Sequence, residues 1–446
     1  MCHLASSAMR RHLDTLDRRI VALALPALGA LLVEPLYNLT DSAIVGHLGK
    51  VPLGGLALAT TSLNVLAWVA AFLEMATVSV VSYQRSKGDE AAAGRAVGAA
   101  YLLSAVVGVA ATVLVEVAAP VLASLLGGHG DGAVRADAVT YLRIAALGMP
   151  VLFVSLAGNG HLTGLADTRR PFVVALVSNG VNIVLEIVLV YGLHLGLAGS
   201  AWGTVAAQVV AAACFLALSA RAPLRWKRPG RLEIAELARD GVPLTVRTVA
   251  LGAALLATTA IAARLGTDPL GGHQISMQVW GMLALTLDAL AVPAQVFVSE
   301  ALGAGDPAAA RETGRRTMRM GLVLGAALGA LTMAFSGLLP AVFSPDAAVQ
   351  HQATLALLVC GLQQPLAAAA FVLDGLVLGA ARYGAMRRAM LLALLAFAPL
   401  AAATLLDHSV GILGIWFAMC CWLAARTGLL SRTWSAALAA PGAAPA

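Results

Sequence analysis

Apolar stretches of about 20 residues or more return along the whole chain, and each is long enough to cross a hydrocarbon core of about 30 Å as one helix. Twelve can be drawn, over 18–46, 52–80, 94–120, 138–164, 172–192, 197–219, 241–264, 271–300, 317–343, 352–380, 387–405 and 411–434. Little is left between them for a surface that faces water. Only 12% of the 446 residues are charged, against about 25% in an ordinary soluble domain. The expected fold class is therefore an all-α integral membrane protein with twelve transmembrane helices, and the lipid bilayer is its first partner.

The first stretch begins like a secretory leader, with Arg10, Arg11, Arg18 and Arg19 ahead of an apolar run. It then continues well past an ordinary leader core, carries Glu34 and Asp41, and lacks a clear small-residue cleavage site. A retained first helix is expected. Cys214, Cys360, Cys420 and Cys421 lie inside spans and Cys2 at the start, with neither metal nor redox spacing.

The net charge of +6 would suit a nucleic-acid partner. Its placement argues otherwise. With the N-terminus inside, 24 Lys and Arg fall in cytoplasmic segments, including Arg426 and Arg432 at the C-terminal end; the outer loops hold Lys50, Arg135, Arg143 and Arg264. This bias places both termini in the cytoplasm and makes the basicity a statement about topology.

The chain also repeats itself. Pro26 returns as Pro243, Leu48-Gly49 as Leu265-Gly266, Pro52-Leu53-Gly54-Gly55 as Pro269-Leu270-Gly271-Gly272, and Gly88-Asp89 as Gly305-Asp306, all separated by 217 residues. A second block is separated by 215: Pro150 with Pro365, Gly160 with Gly375, Gly164 with Gly379, Gly196 with Gly411 and Gly199 with Gly414. Six spans per copy is an even number, so both copies enter the membrane from the same side, as in parallel-repeat transporters with a site near the lobe interface. The expected organisation is a cytoplasmic N-terminus (1–17), an N-lobe (18–220), a cytoplasmic linker (221–240), a C-lobe (241–436) and a tail (437–446).

Polar residues inside the spans are placed unequally. Glu34, Asn38 and Asp41 fall within about a 60° arc of the first helix, as do Asn179, Asn182 and Glu186 on the fifth. The repeat positions of Glu34, Asp41, Asn182 and Glu186 are Leu251, Thr258, Phe397 and Ala401. Asp41 and Glu186 sit at matching depth, about 8 to 9 Å below the outer surface at 1.5 Å per residue, so they are expected to share a chamber in the N-lobe. Burial disfavours a charged carboxyl, which suits such a pair to exchanging protons or to holding a cation in the proton's place. Pro26 and Pro35 favour a bend in the same helix.

In the C-lobe, Arg247 is expected to pair with Asp288 or Asp374, since a lone charge there is costly. Asp374 matches Asn159 across the repeat, each just before a glycine, which makes both candidates for lining the cleft. Gln274, Gln278 and Trp280 are further lining candidates. The patterns KGDEAAAGRA and AGDPAAARET read as a turn followed by a helix start.

The stretches LALPALGALLVEPLYNLTDSAIVGHLG, VNIVLEIVLVYGLHLGLAGSA and FVLDGLVLGA resemble the multidrug and toxic compound extrusion (MATE) transporters, in particular the DinF-like branch. The resemblance covers nearly the whole chain and implies export of cationic or amphipathic small molecules, driven by a proton or sodium gradient with no other cofactor. It carries the coupling role to Asp41, Asn182 and Glu186, the residues that would also hold Na+. Glu186 departs from the family pattern, where many relatives have Asp. A monomer in the cytoplasmic membrane, with no nucleic-acid partner, is expected.

Three alternatives fit less well. A flippase for an anionic lipid-linked headgroup would line its cavity with several Arg or Lys, and Arg247 is the one basic residue expected within the membrane rather than at a loop or span end. A major-facilitator carrier usually carries a different signature between spans two and three from YQRSKGDEAAAGRA. A membrane-embedded enzyme needs a nucleophile-base or metal constellation; neither HExxH nor GxSxG occurs and the nine histidines are scattered.

Overall fold

The computed structural model describes residues 2–127, 132–406 and 410–439, with side chains from 15–124, 132–406 and 410–439. Residues 440–446 of the expected tail and the side chains of Cys2, Arg10 and Arg11 lie outside that description. All regular structure among the described residues is helical, the arrangement that satisfies backbone polar groups within each segment when no water is at hand.

In the first half the helices are α1 (Cys2–Gly46), α2 (Lys50–Ala70), α3 (Phe72–Ser86), α4 (Glu90–Gly127), α5 (Gly132–Ala146), α6 (Met149–Gly164), α7 (Arg169–Ile187) and α8 (Gly196–Arg221), with a π-helical turn at Val188–Gly192. The second half holds α9 (Arg231–Leu265), α10 (Thr267–Asp288), α11 (Ala291–Gly303), α12 (Pro307–Phe335), the short α13 (Leu339–Phe343), α14 (Ala347–Leu362), α15 (Gln364–Gly379), α16 (Tyr383–Leu406) and α17 (Gly411–Ala439). Ten spans are long and apolar enough to cross a membrane, with α2–α3 and α10–α11 each forming one. The pairs α5–α6 and α14–α15, bent by 53° and 54°, bring the number to twelve. A proline stands in the first turn of the second helix in both bent pairs, where its missing N–H interrupts the ladder.

The repeat is preserved in backbone geometry. Gly49 and Gly266 have φ of 124° and 126°, Gly88 and Gly305 83° and 73°, Gly196 and Gly411 57° and 56°, and Ala166 and Ala381, 215 residues apart, 61° and 51°. Both inner patterns are turns that start a helix: Asp89 accepts from the Ala92 N–H at 2.8 Å and Asp306 from the Ala309 N–H at 2.9 Å. Packing repeats too. A Cβ on Gly160 would lie 2.7 Å from the Glu74 carbonyl oxygen, and one on Gly375 would collide with that of Ala291, the residue matching Glu74. Such backbone contact through glycine is how helices associate where lipid removes the hydrophobic drive.

Contact density divides the chain into an N-unit, residues 29–245, and a C-unit, residues 1–28 with 246–446. Residues 18–28, grouped with the N-lobe on sequence, therefore pack in the C-unit: Arg19 pairs with Glu300 at 3.4 Å and Asp17 with Arg316 at 2.6 Å. Residues 221–245 pack in the N-unit. There Lys227 N–H donates to the Gly94 carbonyl at 2.8 Å and Arg95 pairs with Glu233 at 2.6 Å. The two changes of unit, after Leu28 and after Thr245, are themselves 217 residues apart, two residues beyond Pro26 and Pro243. α1 and α9 remain helical through these prolines and α1 also through Pro35.

Candidate functional site

The N-unit brings Asp41, Asn182 and Glu186 together. α1 exposes or half-buries every residue from Leu28 to Thr40 and turns inward at Asp41, which is buried with Val45. α7 presents Asn182 and Glu186 one turn apart, both buried. α8 closes the site. Its Ser200 hydroxyl donates to Asp41 Oδ1 at 2.8 Å, and both Asp41 and Ser200 act on the Glu186 carboxyl. Neither Glu186 oxygen, nor Asn182 Oδ1, makes a hydrogen bond of ordinary geometry among the described residues. Gly203 lets α8 approach: a Cβ there would stand 3.1 Å from Asn182 Oδ1.

Hydroxyls complete the surroundings. Tyr37 and Tyr141 lie 3.2 and 3.4 Å from Thr204 Oγ1, and both phenols sit in the field of Asp41 and Glu186. The π-helical turn follows directly after Glu186, and its Tyr191 hydroxyl donates to the Ile44 carbonyl at 2.6 Å, tying α7 to α1 beside Asp41. An extra residue per turn at a functional helix end re-aims the side chains around it. The result is a buried carboxyl pair ringed by hydroxyls, a donor set able to hold a proton or a small hard cation.

Other sequence candidates stand apart from this pair. Glu34 and Asn38 are exposed on α1. Their helical phase is close to that of Asp41, but neither is among the groups that act on the Glu186 carboxyl. Asn179 is half-buried and donates to the Ala175 carbonyl at 2.8 Å. Asn159 donates to Glu74 Oε1 at 2.8 Å and accepts from Thr163 at 3.3 Å. In α10, Gln274 and Gln278 are exposed and Trp280 is buried.

The C-unit holds a second buried cluster. Arg247 Nη2 pairs with Asp374 Oδ2 at 2.5 Å, and Arg426 Nη2 pairs with the same oxygen. Asp288, half-buried, lies within the field of all three. The Arg426 guanidinium sits over Phe371 at 5.4 Å and Trp422 at 5.7 Å. Arg426 thus belongs in the middle of α17 and is wholly buried; it is not one of the cytoplasmic end charges. Arg247 is accordingly one of two buried arginines that meet Asp374.

With both clusters placed, the chain can be set beside known proteins. It matches the MatE family over residues 26–188 and again over 243–404. The chain belongs to the MatE family, and the two matched segments are its two repeats. Among relatives, it is 28% identical to Protein DETOXIFICATION 44, chloroplastic, of Arabidopsis thaliana, covering 93% of this chain and 81% of that protein. It is 27% identical to the DNA damage-inducible protein F of Escherichia coli (strain K12), covering 95% and 93%. Its fold is similar to the crystal structure of the Vibrio cholerae MATE transporter VcmN in the bent form, with a TM-score of 0.88 at 17% identity over 96% of this chain and 98% of that one.

Sequence reasoning missed several residues of this MatE chain. Ser200 and Thr204 were readable as a polar pair one turn apart within GLAGSAWGT, beside Gly199 and Gly203, which admit a neighbouring helix. Tyr37 stands one turn before Asp41 on the same face. Arg426 follows Trp422 by one turn, and fifteen residues separate it from the start of α17, about 22 Å along a helix at 1.5 Å per residue. That depth was the available signal.

Proposed function

We propose that this MatE transporter is a secondary active antiporter that exports cationic or amphipathic small molecules in exchange for protons or sodium ions, with the coupling ion held at Asp41, Asn182 and Glu186. It would work as a monomer in the cytoplasmic membrane with both termini inside. The observation that carries the reading is the buried Asp41–Glu186 carboxyl pair, with the Ser200 hydroxyl donating to Asp41 Oδ1. Two carboxyls side by side in a poorly solvated site are stable when one cation is shared between them, a proton or a sodium ion.

Exchange follows from competition. With the carboxyls ionised, the N-unit attracts a cation from the cytoplasm; once a proton or sodium ion from outside occupies them, that attraction is cancelled and the substrate leaves. Alternating access then couples two ligands that bias the same conformational equilibrium in opposite directions. The names of the detoxification relatives support the substrate class.

Transport of ethidium by proteoliposomes, with proton and sodium gradients imposed separately, tests this reading. Wild type should move dye under at least one gradient, and Asp41→Asn and Glu186→Gln, folded by thermal unfolding, should move none. Full transport by either variant sinks the assignment of the coupling site.

A further inference from the structure

A cavity of about 710 Å3 opens at the end of the N-unit where the α3–α4 turn, the α6–α7 turn and the basic linker meet. Its charged lining is Arg85, Arg170 and Lys227 with Asp89, Glu90 and Asp167. Two of these acids are already engaged. Asp89 caps α4 through the Ala92 N–H, and Asp167 accepts from the Arg169 and Arg170 N–H groups at 3.1 Å while pairing with the Arg170 guanidinium at 3.2 Å. Arg85 donates to the Leu165 carbonyl at 3.0 Å. The Lys227 side chain makes no ion pair among the described residues.

The linker wall is fixed in place. A Cβ on Gly94 would lie 2.7 Å from the Arg225 carbonyl oxygen, and one on Gly98 would collide with that of Lys227. These glycines let the linker backbone lie directly on α4, and the 2.8 Å bond from Lys227 N–H to Gly94 sets the residue's register. Two of the basic lining residues do not repeat: the positions matching Arg85 and Arg170 are Leu302 and Ala385. The backbone turns repeat with the capping Asp89, which returns as Asp306, and these two arginines do not.

The segment RAPLRWKRPGR, residues 221–231, supplies Arg221, Arg225, Lys227, Arg228 and Arg231, with Trp226 58% exposed among them. Clustered basic residues beside a span are drawn to anionic headgroups, and an exposed tryptophan favours the headgroup level. We propose that this cavity binds a phosphate group, and that its bearer is an anionic phospholipid of the surrounding bilayer. Lys227, Arg85 and Arg170 face the phosphate, and Glu90 accepts from hydroxyls of the headgroup. The site stands apart from the carboxyl pair and does not depend on which ion drives transport.

Native mass spectrometry of the delipidated full-length protein, titrated with dioleoyl phosphatidylglycerol, tests this. Phosphatidylcholine and glycerol phosphate serve as the other two probes. Each basic contact near an anionic headgroup contributes about 1 kcal/mol, so Lys227→Gln should weaken phosphatidylglycerol retention about five-fold. Arg228→Gln, outside the cavity lining, should change it less than two-fold. Equal losses in the two variants would mean diffuse attraction to the linker and overturn the site. Equal retention of phosphatidylcholine would overturn the selectivity for anionic headgroups. Equal occupancy by glycerol phosphate at matched concentration would overturn the lipid as bearer.

Discussion

Asp374 holds two guanidiniums, and its removal is the most severe polar change the C-unit offers. The side chains of Asp374, Arg426 and Arg247 are 2%, 1% and 8% exposed, so Asp374→Asn leaves two buried cations against a neutral amide, with the half-buried Asp288 as the acid nearby. Breaking a buried pair by removing one partner costs about 3–5 kcal/mol. The two arginines share one oxygen, so their losses do not add, and the figure applies to the cluster as a whole. An exposed pair provides the contrast: Glu312 and Arg315, at 33% and 68% exposed, are screened by solvent and contribute little. At about 2–4 °C per kcal/mol for a unit of this size, Asp374→Asn should lower the unfolding midpoint by roughly 6–20 °C. Cys360 is wholly buried, so a thiol-reactive dye in detergent micelles reads the transition. The apolar triple variant Arg247→Met, Asp374→Leu, Arg426→Met should recover to within about 2 kcal/mol of wild type, because apolar replacement of a buried ion cluster is often neutral. A midpoint for Asp374→Asn indistinguishable from that of Arg315→Gln would refute the reasoning.

Three further expectations follow from local geometry. Ser200→Ala removes the 2.8 Å bond to Asp41; dye transport should fall several-fold while stability drops by only about 1 kcal/mol, and unchanged transport would place Ser200 outside the coupling site. Gly375→Ala puts a methyl group into the Ala291 carbonyl, whereas Gly180 has open space around it. The folded yield on size-exclusion chromatography should collapse for the first and hold for Gly180→Ala. Tyr191→Phe unties the π-helical turn from Ile44; a loss of about 1 kcal/mol in unfolding free energy is expected, with faster hydrogen exchange at 188–192 than in wild type.

Spans and repeat were legible because they rest on backbone demands that few residues meet. A glycine at φ near 125° at positions 49 and 266, or pressed against a carbonyl at 160 and 375, leaves its mark at a fixed spacing. Asp41 and Glu186 were legible because a carboxyl in an apolar run is costly without a reason. Ser200 and Thr204 left a fainter mark, since a hydroxyl in a helix can bond to the carbonyl one turn back, as Thr204 does at 3.2 Å, and so carries little cost anywhere. Glu34 and Asn38 share helical phase with Asp41 but stay exposed, because phase says which side of α1 they take and burial depends on where a neighbour comes close. Arg426 was hidden by its place in the second half of the last apolar run, where a basic residue reads as an end anchor.

The change of unit inside α1 and α9 bears on how such a chain could be divided. A cut in the linker separates two six-span pieces, yet each would leave with a starting segment that belongs to the other: residues up to Leu28 pack in the C-unit, and those from 221 to Thr245 in the N-unit. Neither half is then a self-sufficient fold.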